Sequence, residues 1–165
     1  MIRPRRPADD AAIRLVNELA FKHAKHDGLI AALRRNGRVV AELVAEVDGE
    51  VVGHALFSPL TITSAGRSHE MIALGPIAVL PGHQGKGIGG ELVRAGVDEC
   101  KRLGYGAVFL VGHTTYYPRF GFLPARPFGI IYDDGRDSFQ VLVLQEGALD
   151  EITGTAHFAP EFDEV

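Results

Sequence analysis

The first forty residues carry apolar positions at helical spacing. Behind Asp9 and Asp10 apolar side chains recur every three or four residues as far as Phe21, which predicts a helix capped by the two aspartates. A second helix is predicted from Gly28 to Arg35, ended by Asn36-Gly37.

The period then shortens to that of β-strands. The runs Val39 to Val47 and Val51 to Thr63 are rich in β-branched residues, and Asp48-Gly49 between them is a strong hairpin signal. A looser turn around Ser64-Ala65-Gly66 leads to a third run, Met71 to Leu80. These runs predict an antiparallel meander of three strands.

The second half of the chain predicts a helical crossover followed by further strands. A helix from Ile88 to Leu103 ends at Gly104, and the wholly apolar run Ala107 to Val111 is typical of a strand buried on both faces. A helical turn at Thr114 to Arg119, strands at Gly121 to Ile131 and Phe139 to Gln145, and an acidic, partly irregular tail from about residue 147 complete the prediction. The pattern indicates one α/β domain over residues 1–165, with a sheet of mixed direction.

Composition and charge remove several classes of protein. Of 165 residues, 46% are hydrophobic and 23% charged, which is typical of a globular domain rather than a disordered chain. The net charge of −4 disfavours nucleic-acid binding, and no apolar run approaches the roughly 18 residues of a membrane span. The start of the chain has no apolar stretch typical of a signal peptide, so the expected compartment is the cytoplasm.

Cysteine and histidine offer little chemistry. The single cysteine, Cys100, excludes a disulfide framework, and its place on the apolar side of the third helix predicts a buried side chain rather than a nucleophile. His23 and His26 are three residues apart, but the sequence indicates no third ligand for zinc. No metal is therefore expected.

A glycine-dense loop, PGHQGKGIGG, joins the third strand to the third helix. Glycines let the backbone turn sharply, and a helix N-terminus offers unpaired N–H groups that bind phosphate. A nucleotide P-loop needs Ser or Thr after the lysine, but Gly87 follows Lys86. A dinucleotide fold needs an acidic residue at the end of the next strand, which closes instead on Val111-Gly112-His113.

The loop and its surroundings resemble the GNAT superfamily of acyl-CoA-dependent N-acetyltransferases. Gln84-Gly-Lys-Gly-Ile-Gly89 matches its pyrophosphate loop, Q/R-x-x-G-x-G/A, and the preceding strand has the form Gly-Pro-Ile-Ala-Val. Tyr117-Pro-Arg-Phe-Gly-Phe122 is similar to the superfamily's Y-x-K-x-G-F segment. Over more than half its length the chain resembles the small bacterial YhbS-like branch.

The resemblance implies a single-domain GNAT fold whose mixed central sheet is splayed between two parallel strands and flanked by helices. It implies that pantetheine contacts Ile77, Ala78 and Val79, and that Gln84, Gly85, Lys86, Gly87, Ile88 and Gly89 hold the pyrophosphate. The residues allow this independently, because Pro76 has no N–H to give a neighbouring strand and Gly75 permits a bulge. Strand pairing is therefore expected to fail near Pro76.

The expected activity is transfer of an acetyl group from acetyl-CoA to a primary amine, by direct attack in a ternary complex. The resemblance implies Tyr117 as the acid that protonates the departing thiolate; Tyr116 in that role and a packing role for Tyr117 stay open. The sequence assigns no general base, and Glu70, His54, His113 and water are the candidates. An acyl-CoA sensor without catalysis is the alternative function, and the amine and a homodimeric assembly are left open.

Overall fold

The computed structural model of the chain describes residues 1–22 and 26–164. Its strands are β1 (Ile2–Pro4), β2 (Ala41–Val47), β3 (Glu50–Ser64), β4 (Arg67–Val79), β5 (Ala107–Val111), β6 (Leu123–Pro124), β7 (Ile130–Ile131), β8 (Phe139–Val143) and β9 (Gly154–Phe158). Its α-helices are α1 (Asp10–Ala20), α2 (His26–Arg35) and α3 (Ile88–Arg102). Short 3₁₀ helices include Pro81–His83, Tyr117–Phe120 and Pro160–Glu164.

The strands form one mixed sheet in the order β1-β2-β3-β4-β5-β8-β6. Strand β9 pairs with β3 beyond the end of β2, and β7 pairs with β9. Within the described residues the pairs β4–β5 and β7–β9 are parallel and the other pairs are antiparallel. This arrangement confirms the predicted mixed α/β fold and the crossover from β4 through α3 to β5.

Two tight turns set the register of the predicted meander. Asp48 and Gly49 connect β2 to β3 with φ values of +51° and +81°. Ala65 and Gly66 connect β3 to β4 with φ values of +48° and +80°. Positive φ at both central residues is what a two-residue type I′ hairpin requires. The hairpin predicted at Asp48-Gly49 is confirmed, and the second turn is as tight as the first.

Alternation along β3 places helices on both faces of the sheet. Gly53 and Phe57 face α3, because a Cβ at Gly53 would touch Leu92 and one at Gly96 of α3 would clash with the Phe57 ring. His54, on the opposite face, contacts Asn17 of α1. None of the helices in the described ranges is long and apolar enough to cross a membrane.

Helix α1 forms as predicted, but its expected cap is wrong. The Asp9 carboxylate makes no capping hydrogen bond to α1. It accepts instead from the backbone N–H of Arg6 at 2.7 Å and from the Arg3 guanidinium at 2.8 and 2.9 Å. Asp10 likewise binds Arg5. The aspartates therefore tie the N-terminal segment to α1.

The C-terminal third departs furthest from the prediction. No continuous strand runs from Gly121 to Ile131, since only residues 123–124 and 130–131 are extended. Gly121 and Gly129 have φ values of +98° and +81° and turn the chain, while Pro127 lacks the N–H that a strand would donate. Sequence reasoning also missed β9 in the tail, although Ala156 is buried between exposed Thr155 and His157 as strand alternation requires.

The contact between Gly96 and Phe57 predicts the outcome of a glycine substitution in α3. We expect Gly96→Ala to lower the free energy of unfolding by up to about 2 kcal/mol, because overpacking costs about 1–3 kcal/mol and alanine's higher helix propensity offsets only about 1 kcal/mol. Denaturant unfolding measures the change.

Gly28→Ala in α2 is the matched control, because a Cβ at Gly28 meets nothing within 4 Å. It should raise the free energy of unfolding by about 0.5–1 kcal/mol through helix propensity alone. Equal stabilisation by both substitutions would contradict the packing of α3 against β3.

Candidate active site

The two central parallel strands separate after a short contact. Strand β4 pairs with β5 only at Ile72–Val108 and Ala73–Phe109, although both strands continue beyond these pairs. On the other edge of β4 the register with β3 shifts at Gly75-Pro76. The expected loss of pairing near Pro76 is therefore confirmed, and a gap opens between the C-terminal halves of β4 and β5.

Hydrogen-bond alternation shows which β4 backbone groups face this gap. The Leu80 N–H donates to the Val52 carbonyl at 2.8 Å, so Leu80 and, two residues earlier, Ala78 direct their backbone groups towards β3. Ile77 and Val79 direct theirs towards the gap. The Val79 carbonyl accepts a hydrogen bond from the Gln84 side-chain amide at 2.9 Å, which ties the end of β4 to the glycine loop.

A cavity of about 560 Å³ lies at the gap. Its strand-derived lining is Leu74, Gly75, Pro76 and Ile77 of β4, with Val111, Gly112 and His113 at and after the end of β5. Tyr117, Tyr132 and Arg136 line it further along the chain, and Phe21, Leu29, Phe158 and Phe162 come from the two chain ends. The cavity is mostly apolar, with a few polar groups beside the splayed strands.

The glycine loop forms a second cavity of about 370 Å³ at the N-terminus of α3. Gly85 and Gly87 have φ values of +77° and +86°, and a Cβ at either would meet nothing within 4 Å. Gly87 is the N-cap, so the N–H groups that follow it in the first turn have no intrahelical acceptor. With Arg94 and Arg119 in the lining, the cavity suits an anion such as a phosphate.

The adjacent tyrosines line different cavities. Tyr117 is 9% exposed and lines the cavity at the gap, where its ring packs so closely on Gly112 that a Cβ there would clash. Burial, with a smaller effect of Tyr116, raises the pKa of Tyr117 to about 12. Tyr116 lines the glycine-loop cavity, and its hydroxyl would lie 3.3 Å from a Cβ at Gly89. Tyr117 is therefore the tyrosine beside the splayed strands.

His54 lies in a buried polar network between the sheet and the N-terminal helices. Its Nδ1 accepts from the Asn17 amide at 3.2 Å, and its Nε2 donates to Glu42 at 2.7 Å. Burial alone would raise the pKa of Glu42, but hydrogen bonds from His54 and Arg34 outweigh it and lower that pKa to about 2. With both nitrogens engaged and no exposed surface, His54 holds α1 and α2 on the sheet.

The other two candidate bases lie far apart, Glu70 near the start of β4 and His113 just after β5. Glu70 is exposed and precedes Gly75 by five residues, which is about 16 Å along a strand. Burial and then the charge of Glu70 raise the pKa of Tyr105, which lies just before β5 begins, at the end away from the cavity. His113 lines the cavity and is exposed to solvent.

Cys100 has no exposed surface, and burial together with Glu99 raises the pKa of its thiol to about 12. A thiolate nucleophile is therefore not available on α3. Among the residues that the structure describes, no three His, Cys, Asp or Glu side chains group together as metal ligands. His23 and the side chain of His26 lie outside the described residues.

Sequence reasoning did not identify several residues that line the two cavities. Arg94 and Arg119 join the glycine loop because α3 and the 3₁₀ helix at 117–120 pack together, which no local motif signals. Phe21, Tyr132, Phe158 and Phe162 meet at the larger cavity from distant parts of the chain. Phe158 and Phe162 are the aromatic residues of the acidic tail, but no local pattern indicates which surface they reach.

The sequence matches a known protein family and two of its members in Escherichia coli. The sequence profile of the Acetyltransferase (GNAT) family matches residues 15–122. The chain is 30% identical to the uncharacterized N-acetyltransferase YhbS of Escherichia coli K12 over 166 residues, covering 99% of this chain and 98% of YhbS. It is 40% identical to the uncharacterized N-acetyltransferase YjhQ of the same strain over 119 residues, which are 71% of this chain and 66% of YjhQ.

Solved structures share the whole fold. The crystal structure of Escherichia coli YhbS in complex with CoA superposes with a TM-score of 0.91 at 31% identity, covering 99% of this chain and 91% of that one. A GNAT family acetyltransferase from Brucella melitensis in complex with acetyl-CoA gives a TM-score of 0.81 at 36% identity, covering 99% and 97%. Both neighbours hold the cofactor or its acetylated form.

Proposed function

Because this chain belongs to the GNAT family of acetyltransferases, we propose that it transfers the acetyl group of acetyl-CoA to a primary amine. The observation that carries the proposal is the continuity of the site. The gap between β4 and β5 has the glycine loop at one end and Tyr117 with the larger cavity at the other. The CoA and acetyl-CoA complexes of two relatives support the same ligand here.

The pyrophosphate binds at the glycine loop. The first-turn N–H groups of Ile88 and Gly89 donate to it, and the bare backbone of Gly85 and Gly87 allows it to approach closely. Exposed Lys86 supplies charge from the loop. Gln84 supports the pyrophosphate site indirectly, because its side-chain amide donates a hydrogen bond to the Val79 carbonyl and thereby fixes the loop on β4.

The pantetheine arm occupies the gap as if it were a short additional strand. Ile77 presents its N–H and C=O to it and Val79 presents its N–H, because these groups are directed away from β3 and the Val79 carbonyl is already held by Gln84. Ala78, between them, pairs with His54 of β3, so it lines the side of the gap without a hydrogen bond to pantetheine. The Ile77 N–H stabilises the oxyanion of the thioester carbonyl, because Ile77 lines the larger cavity with Tyr117 whereas Val79 lines the glycine-loop cavity.

Acetyl transfer proceeds by direct attack in a ternary complex. The neutral amine nitrogen attacks the thioester carbon, the C–N bond forms and the C–S bond breaks. Tyr117 donates its hydroxyl proton to the departing thiolate, and a pKa of about 12 keeps that proton in place at neutral pH. His113, on the cavity wall, or water beside it takes the proton that the amine nitrogen loses, and the Tyr117 phenolate regains a proton from that base through solvent.

Aspartate at Gly87 tests the pyrophosphate site. Gly87→Asp places a carboxylate where the phosphates approach the helix N-terminus, so acetyl-CoA affinity should fall by at least about 100-fold from repulsion and steric block. Gly87→Asn is the matched control, because it has nearly the same shape and the same positive φ without the charge. Gly87→Asn should therefore lose less affinity than Gly87→Asp, and calorimetry that gives both folded variants the affinity of the wild-type protein would contradict the assignment of the loop.

Removal of one hydroxyl tests the catalytic acid. Tyr117→Phe keeps the ring, so acetyl-CoA should bind nearly as before while kcat falls by about 10²–10⁴ at pH 7 and saturating amine. Released CoA can be followed with a thiol reagent, because the single cysteine, Cys100, is fully buried.

Tyr116→Phe is the control for this change, since that hydroxyl lies at the glycine loop. If Tyr116→Phe loses kcat and Tyr117→Phe keeps it in full, the catalytic acid is Tyr116 and not Tyr117. A protein that binds acetyl-CoA but releases no thiol with any amine would be a sensor rather than an enzyme.

A further inference from the structure

The larger cavity has an aromatic wall that acetyl-CoA binding does not explain. Tyr132 and Phe158 pack edge to face with ring centroids 4.9 Å apart, and Phe158 contacts Phe162 at 5.5 Å. Phe21, at the end of α1, lines the same cavity. We name these four residues the aromatic wall. Each is partly exposed, so a ligand in the cavity would cover ring surface that water now contacts.

The aromatic wall lies apart from the residues that would hold the cofactor. Pantetheine enters between β4 and β5 from the glycine loop, so the acetyl group ends near Tyr117. The wall is built by the end of α1, the segment after β7, the end of β9 and the C-terminal 3₁₀ helix. Its position beyond the reacting group is the place that the acceptor amine must occupy.

Charge in the cavity argues against a polycationic acceptor. Among the lining residues that the structure describes, Arg136 and His113 are the titratable groups besides the tyrosines, and none is acidic. The Arg136 guanidinium binds the carboxylates of Asp133 and Asp134, and neither aspartate lines the cavity. A polyamine or aminoglycoside would bring additional ammonium groups into an apolar space without carboxylates to pair them.

The extent of the family match also separates the cofactor-binding residues from the aromatic wall. The profile ends at residue 122, so it includes the splayed strands, the glycine loop and Tyr117. Tyr132, Phe158 and Phe162 lie beyond it. The part of the site that would bind the common cosubstrate is therefore shared with the family, whereas most of the aromatic wall is supplied by the segment outside the match.

We propose that the acceptor is a small monoamine carrying an apolar, preferably aromatic, group that packs on the aromatic wall. The inference rests on the proposed acetyl transfer and adds the class of substrate. An apolar wall also favours the uncharged amine, which is the nucleophilic form, because desolvation disfavours ammonium. The cavity thereby assists the deprotonation for which the site offers only His113 or water.

A panel of amines tests the proposal through thiol release. With acetyl-CoA saturating, kcat/KM for 2-phenylethylamine should exceed that for ethylamine by about 10- to 100-fold, because the ring is buried against the wall. Spermidine and kanamycin should react more slowly than 2-phenylethylamine. If either polycation has the higher kcat/KM, acetyl transfer stands and this acceptor class is wrong.

Substitutions at Phe162 locate the effect. Phe162→Ala should raise KM for 2-phenylethylamine by about tenfold and leave that for ethylamine and the affinity for acetyl-CoA nearly unchanged. Phe162→Leu, which keeps an apolar side chain, should lose only part of the preference and covers the case in which the alanine variant does not fold. Phe128→Ala is the matched control, because Phe128 is exposed outside the cavity.

Binding without chemistry separates this inference from the proposed function. Calorimetry with 2-phenylethylamine and the CoA complex should detect binding that Phe162→Ala weakens, even if no acetyl group is transferred. Binding without thiol release would support the acceptor cavity and contradict acetyl transfer. Failure of the CoA complex to bind 2-phenylethylamine, or equal binding by wild type and Phe162→Ala, would overturn the acceptor class.

Discussion

The site depends on the interruption of strand pairing on both edges of β4. A proline cannot donate a backbone hydrogen bond, and at Gly75-Pro76 the ladder between β3 and β4 shifts register. On the other edge β4 and β5 pair only at Ile72 and Ala73 before they separate. The gap frees backbone groups of Ile77 and Val79 and gives Tyr117 a cavity to line. Continuous pairing of the two strands would leave no room for a ligand between them.

Buried polar contacts hold the surroundings of this gap in place. Glu42 receives hydrogen bonds from His54 and Arg34, so β2, β3 and α2 are joined beneath α1. The Asn17 amide connects α1 to the same network. Since α1 and α2 supply Phe21 and Leu29 to the larger cavity, a histidine that first suggested a catalytic base instead supports the wall of the proposed acceptor site.

Local sequence signals predicted the elements whose structure is determined locally. The Asp48-Gly49 hairpin, the start of α3 after the glycine loop and the buried strand β5 all form as expected, because turn residues, helix caps and apolar runs act within a few positions. Pro76 likewise predicted the break in strand pairing, because a missing backbone N–H acts at its own position. Strand β9 was missed because its partner, the far half of β3, is about ninety residues away along the chain.

The parts of the site also differ in whether local sequence or distant contacts determine them. The glycine loop was predicted from its own residues, and the resemblance to the family supplied the role expected of Tyr117. The aromatic wall could not be predicted, since Phe21, Tyr132 and Phe158 meet only after α1 and β9 have packed on the sheet. His54 and Glu70 were candidates by residue type, and only the fold places His54 in a buried network and Glu70 at the far end of β4.

Residue-resolved amide hydrogen exchange, followed by NMR with and without acetyl-CoA, reports whether a ligand pairs with β4 in the gap. Strand pairing with β3 predicts that the Ala78 amide exchanges slowly in both states, whereas the amides of Ile77 and Val79 exchange faster in the free protein and slow markedly when acetyl-CoA is added. Unchanged exchange at Ile77 and Val79 in a protein saturated with acetyl-CoA would contradict binding of the pantetheine arm between β4 and β5.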